Sequence, residues 1–193
     1  MKIVIVGCGR VGAVLAEAFD GLGHEVVILD VSTRAFERLS EEFRGSAVRA
    51  DGTDEEALRR AGAAGADVFL ALTEGDNRNV MAAQIAVENL GVEQVVAKIN
   101  DPVRAAAYAE LGIATVCRTT MLAESIQAFL GFGPTGVPSV IAATGRHDAG
   151  APHPRSGTGS NAAAAWTGLG AAAGTAGSAG AGVVPGRAGT REG

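Results

Sequence analysis

Three glycines, Gly7, Gly9 and Gly12, carry the first chemical suggestion in this chain of 193 residues. They stand in "VGCGRVG", directly after the apolar run "KIVIV". This spacing suits the holding of a phosphate group by main chain. The first glycine allows a tight turn and the second lets backbone approach a diphosphate. The third lets the next helix pack close, so that its first N–H groups face the anion. Cys8, Arg10 and Val11 complete the loop. The glycines alone are equally compatible with a tight turn that binds nothing.

Asp30 adds weight to the first alternative. It ends a second apolar run, "EVVIL", 23 residues after Gly7. A carboxylate there accepts hydrogen bonds from ribose hydroxyls and repels a 2′-phosphate, which points to NAD rather than NADP. Other candidates follow later runs. Asp51 and Gly52, in "RADGTD", would border an adenine, with Asp51 as a plain turn former the other reading. Thr73 and Glu74 end the run before "EGDNRN" and would line the same crevice from its far side. Lys98 in "VVAKIN" either neutralises a phosphate or meets solvent, and Arg118 repeats that arrangement less clearly. Arg10 is a phosphate contact or a solvated side chain. Cys8 is a thiol made reactive by a helix N-terminus or a small filler behind the loop, and no resolving thiol is near it in sequence. Asp76, Asn77 and Asn79 read as helix starters with capping as their role. His24 reads as a surface turn residue. No cluster with metal-ligand spacing appears.

Alternating elements must position these residues. Short β-branched runs at 3–6, 25–29, 47–49, 68–72, 94–99 and 114–117 are separated by helical patterns. Such alternation predicts repeated βα units, and the nearly continuous apolar character of the runs predicts strands covered on both faces. The fold class expected is α/β, a doubly wound, Rossmann-like parallel sheet of about six strands. Thr53 and Glu56 form a capping-box pattern, and Asp101-Pro102 sets a capping carboxylate before a proline at a first helical position. Gly112 and the pair Gly21 and Gly23 stand where helices should stop. A last helix is expected over 121–130.

Composition changes near residue 131. From there to the end stand 16 Gly and 15 Ala in 63 residues, too few large apolar side chains to offset chain entropy. The expected organisation is therefore a nucleotide-binding domain over 1–131 and a disordered Gly/Ala-rich tail over 132–193. Trp166 is its single docking candidate or a stray aromatic.

A formal net charge of −5 with no Lys/Arg block argues against nucleic acid or anionic lipid as partner. Two cysteines, Cys8 and Cys117, are too few for a disulfide framework and read as reduced core thiols. The opening apolar run is too short for a signal peptide or a bilayer span, so a cytoplasmic location is expected, with no direct membrane insertion. A small NAD-dependent oxidoreductase is the second functional reading. Tyr108 is followed four residues later by Gly112 rather than lysine, and His147 and His153 stand in the tail, which leaves little acid–base equipment.

The segments "IVIVGCGRVG", "ADGTDEEALRRAGAAGAD", "ALTEGDNRNVMAAQIA" and "AKINDPVRAAAYAELGIATV", with Asp30, together resemble the N-terminal RCK (KTN) nucleotide-binding domain of Trk-type potassium uptake regulators. The resemblance covers about residues 1–130. It implies a peripheral regulatory subunit, not an enzyme, that binds NAD(H), or ATP/ADP in some relatives. Such a subunit gates a membrane potassium transporter or channel and pairs as a homodimer or larger ring. It sits at the inner face of the plasma membrane through that partner. Carried over, the nucleotide contacts are Gly7, Cys8, Gly9, Arg10, Val11, Gly12, Asp30, Thr73, Glu74 and Lys98, with Asp51 and Gly52 near the adenine. The resemblance also implies a compact C-terminal domain, and the Gly/Ala-rich stretch stands in its place.

Overall fold

The computed structural model describes residues 1–133 and 136–142, all within one compact unit, Met1–Asp148. Trp166, His147, His153 and most of the expected tail lie outside the described residues.

In chain order the elements are β1 (Lys2–Val6), α1 (Arg10–Gly21), β2 (Glu25–Asp30), a 3-10 segment (Thr33–Arg38), β3 (Ser46–Arg49), α2 (Glu55–Arg60), β4 (Val68–Ala71), α3 (Asp76–Gln84), β5 (Gln94–Ile99), α4 (Pro102–Glu110), β6 (Ala114–Cys117), α5 (Arg118–Phe129) and β7 (Val140–Ile141). The sheet order is β3-β2-β1-β4-β5-β6-β7. The first six strands run parallel, as the apolar runs required. The seventh is a two-residue antiparallel edge, with Thr115 opposite Ile141 and Val116 opposite Val140. It lies beyond residue 131, where composition suggested no structure. Its partner is already fixed, so two bridging residues, together with the bond from Cys117 N to Ser139 O (2.7 Å), suffice to extend the sheet.

Side-chain alternation divides the core between the two faces. Ile3 and Ile5 of β1 and Val26 and Ile28 of β2 pack with Ala13 and Ala16 of α1 and Ala35 of the 3-10 segment. Val4, Val6, Val27 and Leu29 point the other way, into a larger cluster with Leu58 of α2, Val80, Ala82 and Ala83 of α3 and Ala105 of α4. Phe69, Leu58 and Ile28 are fully buried. Each such side chain contributes about 1.5–3 kcal/mol of burial. The helices face the sheet through alanine and glycine, so they approach closely and hold the strand ends, and hence the crevice, in place.

Helix boundaries follow local chemistry, with four corrections to the sequence reading. Asp101 caps α4 through Val103 N (2.9 Å), with Pro102 in the first turn. The chain turns after α1 and α4 at Gly23 (φ 81°) and Gly112 (φ 84°), while Gly21 remains inside its helix. Asp54, not Thr53, caps α2, accepting from Glu56 N (2.9 Å) and Ala57 N (3.2 Å). Thr53 is turned toward Asp51, giving both its N–H (2.9 Å) and its hydroxyl (2.8 Å) to that carboxylate. The last helix starts at Arg118 rather than 121, because Thr120 donates its hydroxyl to Cys117 O (3.1 Å) and Thr119 donates to Asn100 O (2.6 Å). These bonds draw two β-branched residues into the first helical turn. No side-chain cap is provided by Asp76, Asn77 or Asn79, since α3 starts at Gly75 with no side-chain cap bond.

Candidate functional site

The strand order reverses between β1 and β4, so their carboxyl ends part and open a crevice. A cleft of about 710 Å³ occupies that place. Gly7, Cys8, Gly9, Asp30, Thr73 and Glu74 line it. These residues come from three strand ends, and the topology alone brings them together.

Gly7 has φ 105° and lies flat on the end of β4: a Cβ there would sit 2.8 Å from Thr73 N and 2.9 Å from Leu72 C. Its own N–H donates to Leu29 O (2.7 Å), so the loop is clamped between β2 and β4. Gly12 is the point of closest helix approach, where a Cβ would fall 2.0 Å from Gly7 O. Gly9 occupies the N-cap position of α1, with no side-chain cap bond and no acidic residue in the first turn. A Cβ on Gly9 would meet nothing nearer than Glu74 Oε1 at 4.0 Å. The helix thus presents its positive end to an open cleft, the arrangement that binds phosphate.

Asp30 is positioned by the same loop. Its Oδ2 accepts from Cys8 N (2.9 Å) and its Oδ1 from Ser32 N (2.9 Å). A carboxylate offers about four lone-pair sites, so acceptor capacity for ribose hydroxyls remains. Cys8 is fully buried, and its thiol donates to Ala35 O (3.3 Å). Burial first, and the Asp30 charge next, push that thiol above the ordinary value, the opposite of an activated thiolate. Of the two readings of Cys8, the geometry fits the filler.

The other sequence candidates lie around this centre rather than on the cleft wall. Arg10 and Val11 are exposed in the first turn of α1. Gly52 packs against β1, where a Cβ would come within 2.1 Å of Val6 Cγ1. Asp51 is exposed and held below the usual carboxylate range, by the Thr53 backbone bond first and the Thr53 hydroxyl second. Lys98 is buried, its side chain 7% exposed, and its Nζ stands 3.9 Å from Oε1 of Glu74. Burial lowers its pKa, while Glu74 opposes the shift. It is not a solvent-facing cation, and its ion-pair partner Glu74 lines the cleft.

Two features escaped the sequence reading. Asn79 is fully buried. Its Oδ1 accepts from Thr73 N (2.8 Å) and Thr73 Oγ1 (2.7 Å), and its Nδ2 donates to Thr73 O (3.0 Å) and Lys98 O (2.8 Å). Every hydrogen-bonding site of the amide is used, and the carboxyl ends of β4 and β5 are tied together. Asp76 acts similarly further out, accepting from Asn100 N (3.0 Å), Asn100 Nδ2 (2.8 Å) and Asp101 N (3.3 Å). The second feature is the far wall of the cleft, built by Ser32, Arg34, Glu37 and Arg38 after β2 and by Arg78 of α3. "STRAFER" matches no motif; only the fold of the 3-10 segment over Cys8 brings it to the site. Among the described residues, no group of three or more His, Cys, Asp or Glu is placed to hold a metal ion. No described helix is long and apolar enough to cross a membrane.

Comparison with known proteins agrees with this geometry. The Trk system potassium uptake protein TrkA of Streptomyces coelicolor is 45% identical over 126 residues, covering 65% of this chain and 56% of the relative. The chain thus spans about half the length of that relative. The Kef C-terminal domain of Shewanella denitrificans in an AMP-bound form superposes with a TM-score of 0.58 at 22% identity, covering 70% of this chain and 84% of that one. A GsuK channel bound to NAD superposes with a TM-score of 0.52 at 21% identity, covering 63% of this chain and 22% of that one. At those identities the structures establish the shared fold. The TrkA-N domain family matches residues 3–119, which hold the glycine loop, Asp30 and the whole crevice, and the chain belongs to that family.

Proposed function

We propose that this domain binds an adenine nucleotide, NAD(H) or ATP/ADP, in the crevice between β1 and β4, and passes its occupancy to a membrane potassium transporter or channel. The observation that carries the reading is the joining of Asp30 to the glycine loop through Cys8 N, which sets a ribose acceptor beside a helix N-terminus. The AMP and NAD held by the two fold neighbours support the same ligand class. Potassium transport enters through the name of the TrkA relative.

We read the protein as a regulator rather than an enzyme. No Tyr, His or Lys stands among the lining residues, and the one thiol there is buried with a raised pKa. The nucleotide acts as a signal only if two arrangements of the protein bind it unequally, since equal affinity shifts no equilibrium. A second copy of the chain supplies the moving part in this reading. The helix α5 exposes Met121, Leu122, Ile126 and Phe129, the last 90% exposed, apolar surface suited to a homodimer. The place of action is the cytoplasmic side of the membrane, reached through the transporter.

Thermal-shift titration with NAD, NADH, ATP and ADP tests the reading, because a ligand of the native state raises apparent stability with occupancy. At least one nucleotide should raise Tm in a saturable manner, with no consumption of NAD in the presence of small alcohols or hydroxy acids. Flat titrations with all four, or steady turnover, would contradict it.

A further inference from the structure

Three arginines line the cleft, Arg34, Arg38 and Arg78, against three carboxylates, Asp30, Glu37 and Glu74. Two of the arginines are engaged. Arg34 pairs with Glu37 at 3.8 Å, and Arg38 donates to Ala35 O at 3.2 Å. Of the acids, Asp30 holds two loop N–H groups and Glu74 stands 3.9 Å from the buried Lys98. Arg78 is exposed and makes no hydrogen bond or salt bridge to any described residue. Its charge reaches Asp51 from a distance, as the weakest influence on a carboxyl that Thr53 chiefly holds low.

Its position adds positive charge to the start of a helix. Arg78 is the third residue of α3, in the first helical turn, where the helix already carries partial positive charge. The only acidic residue of that turn, Asp76, is directed at Asn100 and Asp101 instead. The guanidinium stem passes over Gly75, where a Cβ would stand 3.8 Å from Arg78 Cγ. Arg78 and Gly9, at the start of α1, both line the cleft. A nucleotide diphosphate entering there would meet two helix N-termini and one unpaired guanidinium. Without Arg78 it would meet a lining with one more carboxylate than cations.

We propose that Arg78 reads the phosphate charge of the nucleotide and gives the cleft its preference for phosphorylated adenine nucleotides over the bare nucleoside. This rests on the nucleotide reading above. A guanidinium suits the role because it offers a planar fork of donors to phosphate oxygens. Partial solvent exposure makes the contribution depend on salt.

The test is isothermal titration of ADP and of adenosine into the full chain, as wild type, Arg78→Ala and Arg78→Lys, at low and at moderate ionic strength. Arg78→Ala should weaken ADP about tenfold, equivalent to about 1.4 kcal/mol, and flatten its salt dependence. Adenosine affinity should stay within about twofold, since it carries no phosphate charge to lose. Arg78→Lys keeps the charge and should recover most of the ADP affinity. The inference is overturned alone if wild type binds ADP and Arg78→Ala binds it equally well. It is also overturned if the alanine weakens ADP and adenosine to the same degree, which would make Arg78 a wall for the base. Failure of wild type to bind either probe overturns both this inference and the nucleotide reading beneath it.

Discussion

Removing the Asn79 amide probes how the crevice is held. Asn79→Ala deletes four hydrogen bonds, three to Thr73 and one to the Lys98 carbonyl, inside a fully buried site. A net value of about 1 kcal/mol per bond gives about 4 kcal/mol. The Thr73 hydroxyl keeps its contacts with Gly75, accepting from Gly75 N (3.3 Å) and facing Gly75 O (3.4 Å), so part of its share is recovered. The expected loss is about 3 kcal/mol, read by urea denaturation as a lower midpoint at unchanged slope. Thr73 also packs on Gly7, so ADP affinity should fall further than the same loss of stability elsewhere in α3 would cause. Asn79→Asp sharpens the test, because it sets a carboxylate where Nδ2 faced two carbonyls. That carboxyl's pKa would be raised in the folded state, so the variant should be most stable at acid pH and lose stability as pH rises through the unfolded value toward the folded one. A loss below about 1 kcal/mol for the alanine, or an aspartate variant indifferent to pH, would refute the account of Asn79 as the tie between β4 and β5.

Two further perturbations test the surroundings. Gly12→Ala places a methyl 2.0 Å from Gly7 O, a backbone atom that cannot move without displacing the loop. It should cost about 1–3 kcal/mol or more and abolish nucleotide-induced stabilisation, and a wild-type thermal-shift response would refute the close-packing argument. Lys98→Met removes a buried cation whose folded-state pKa is depressed, chiefly by burial. Because the folded state holds that proton less firmly than the unfolded chain does, the Lys98 contribution to stability rises as pH climbs from the folded pKa toward the unfolded value of about 10.4. The methionine variant should lack this alkaline rise and match or exceed wild-type Tm at neutral pH, as comparison of melting curves across pH would show.

Much of the crevice was legible because its signals are local. The positions of Gly7, Gly9 and Gly12 follow from backbone geometry within one turn, and Asp30 follows from the length of a βα unit. The boundaries of β5 and β6 were readable because β-branched residues recur through both runs, with Gln94 and Lys98 the polar long side chains of β5. Asn79 was misread because an asparagine near a helix start usually caps it, and nothing local shows that the strand ends beyond need a buried amide. The burial of Lys98 was not legible for a related reason: whether a lysine at a strand end meets solvent depends on what packs over it, and here it stands 3.9 Å from Glu74 with 7% of its side chain exposed. The packing role of Gly52, whose lack of a side chain makes room for Val6, has no local signal either. The wall of Ser32, Arg34, Arg38 and Arg78 is brought together by tertiary folding and has no spacing of its own. The edge strand at Val140–Ile141 depends on pairing with an existing sheet, which composition does not register.

The measurement that bears most directly on the central claim is isothermal titration of NAD and ADP into wild type and Asp30→Ala, with both proteins first shown to fold by their melting curves. The alanine loses the bonds to Cys8 N and Ser32 N, so a stability decrease of about 1–3 kcal/mol is expected alongside the binding defect. The account predicts saturable binding to wild type and at least about tenfold weaker binding to the folded Asp30→Ala protein. Equal affinity in the two proteins would contradict the placement of a ribose at Asp30, and with it the crevice as the nucleotide site.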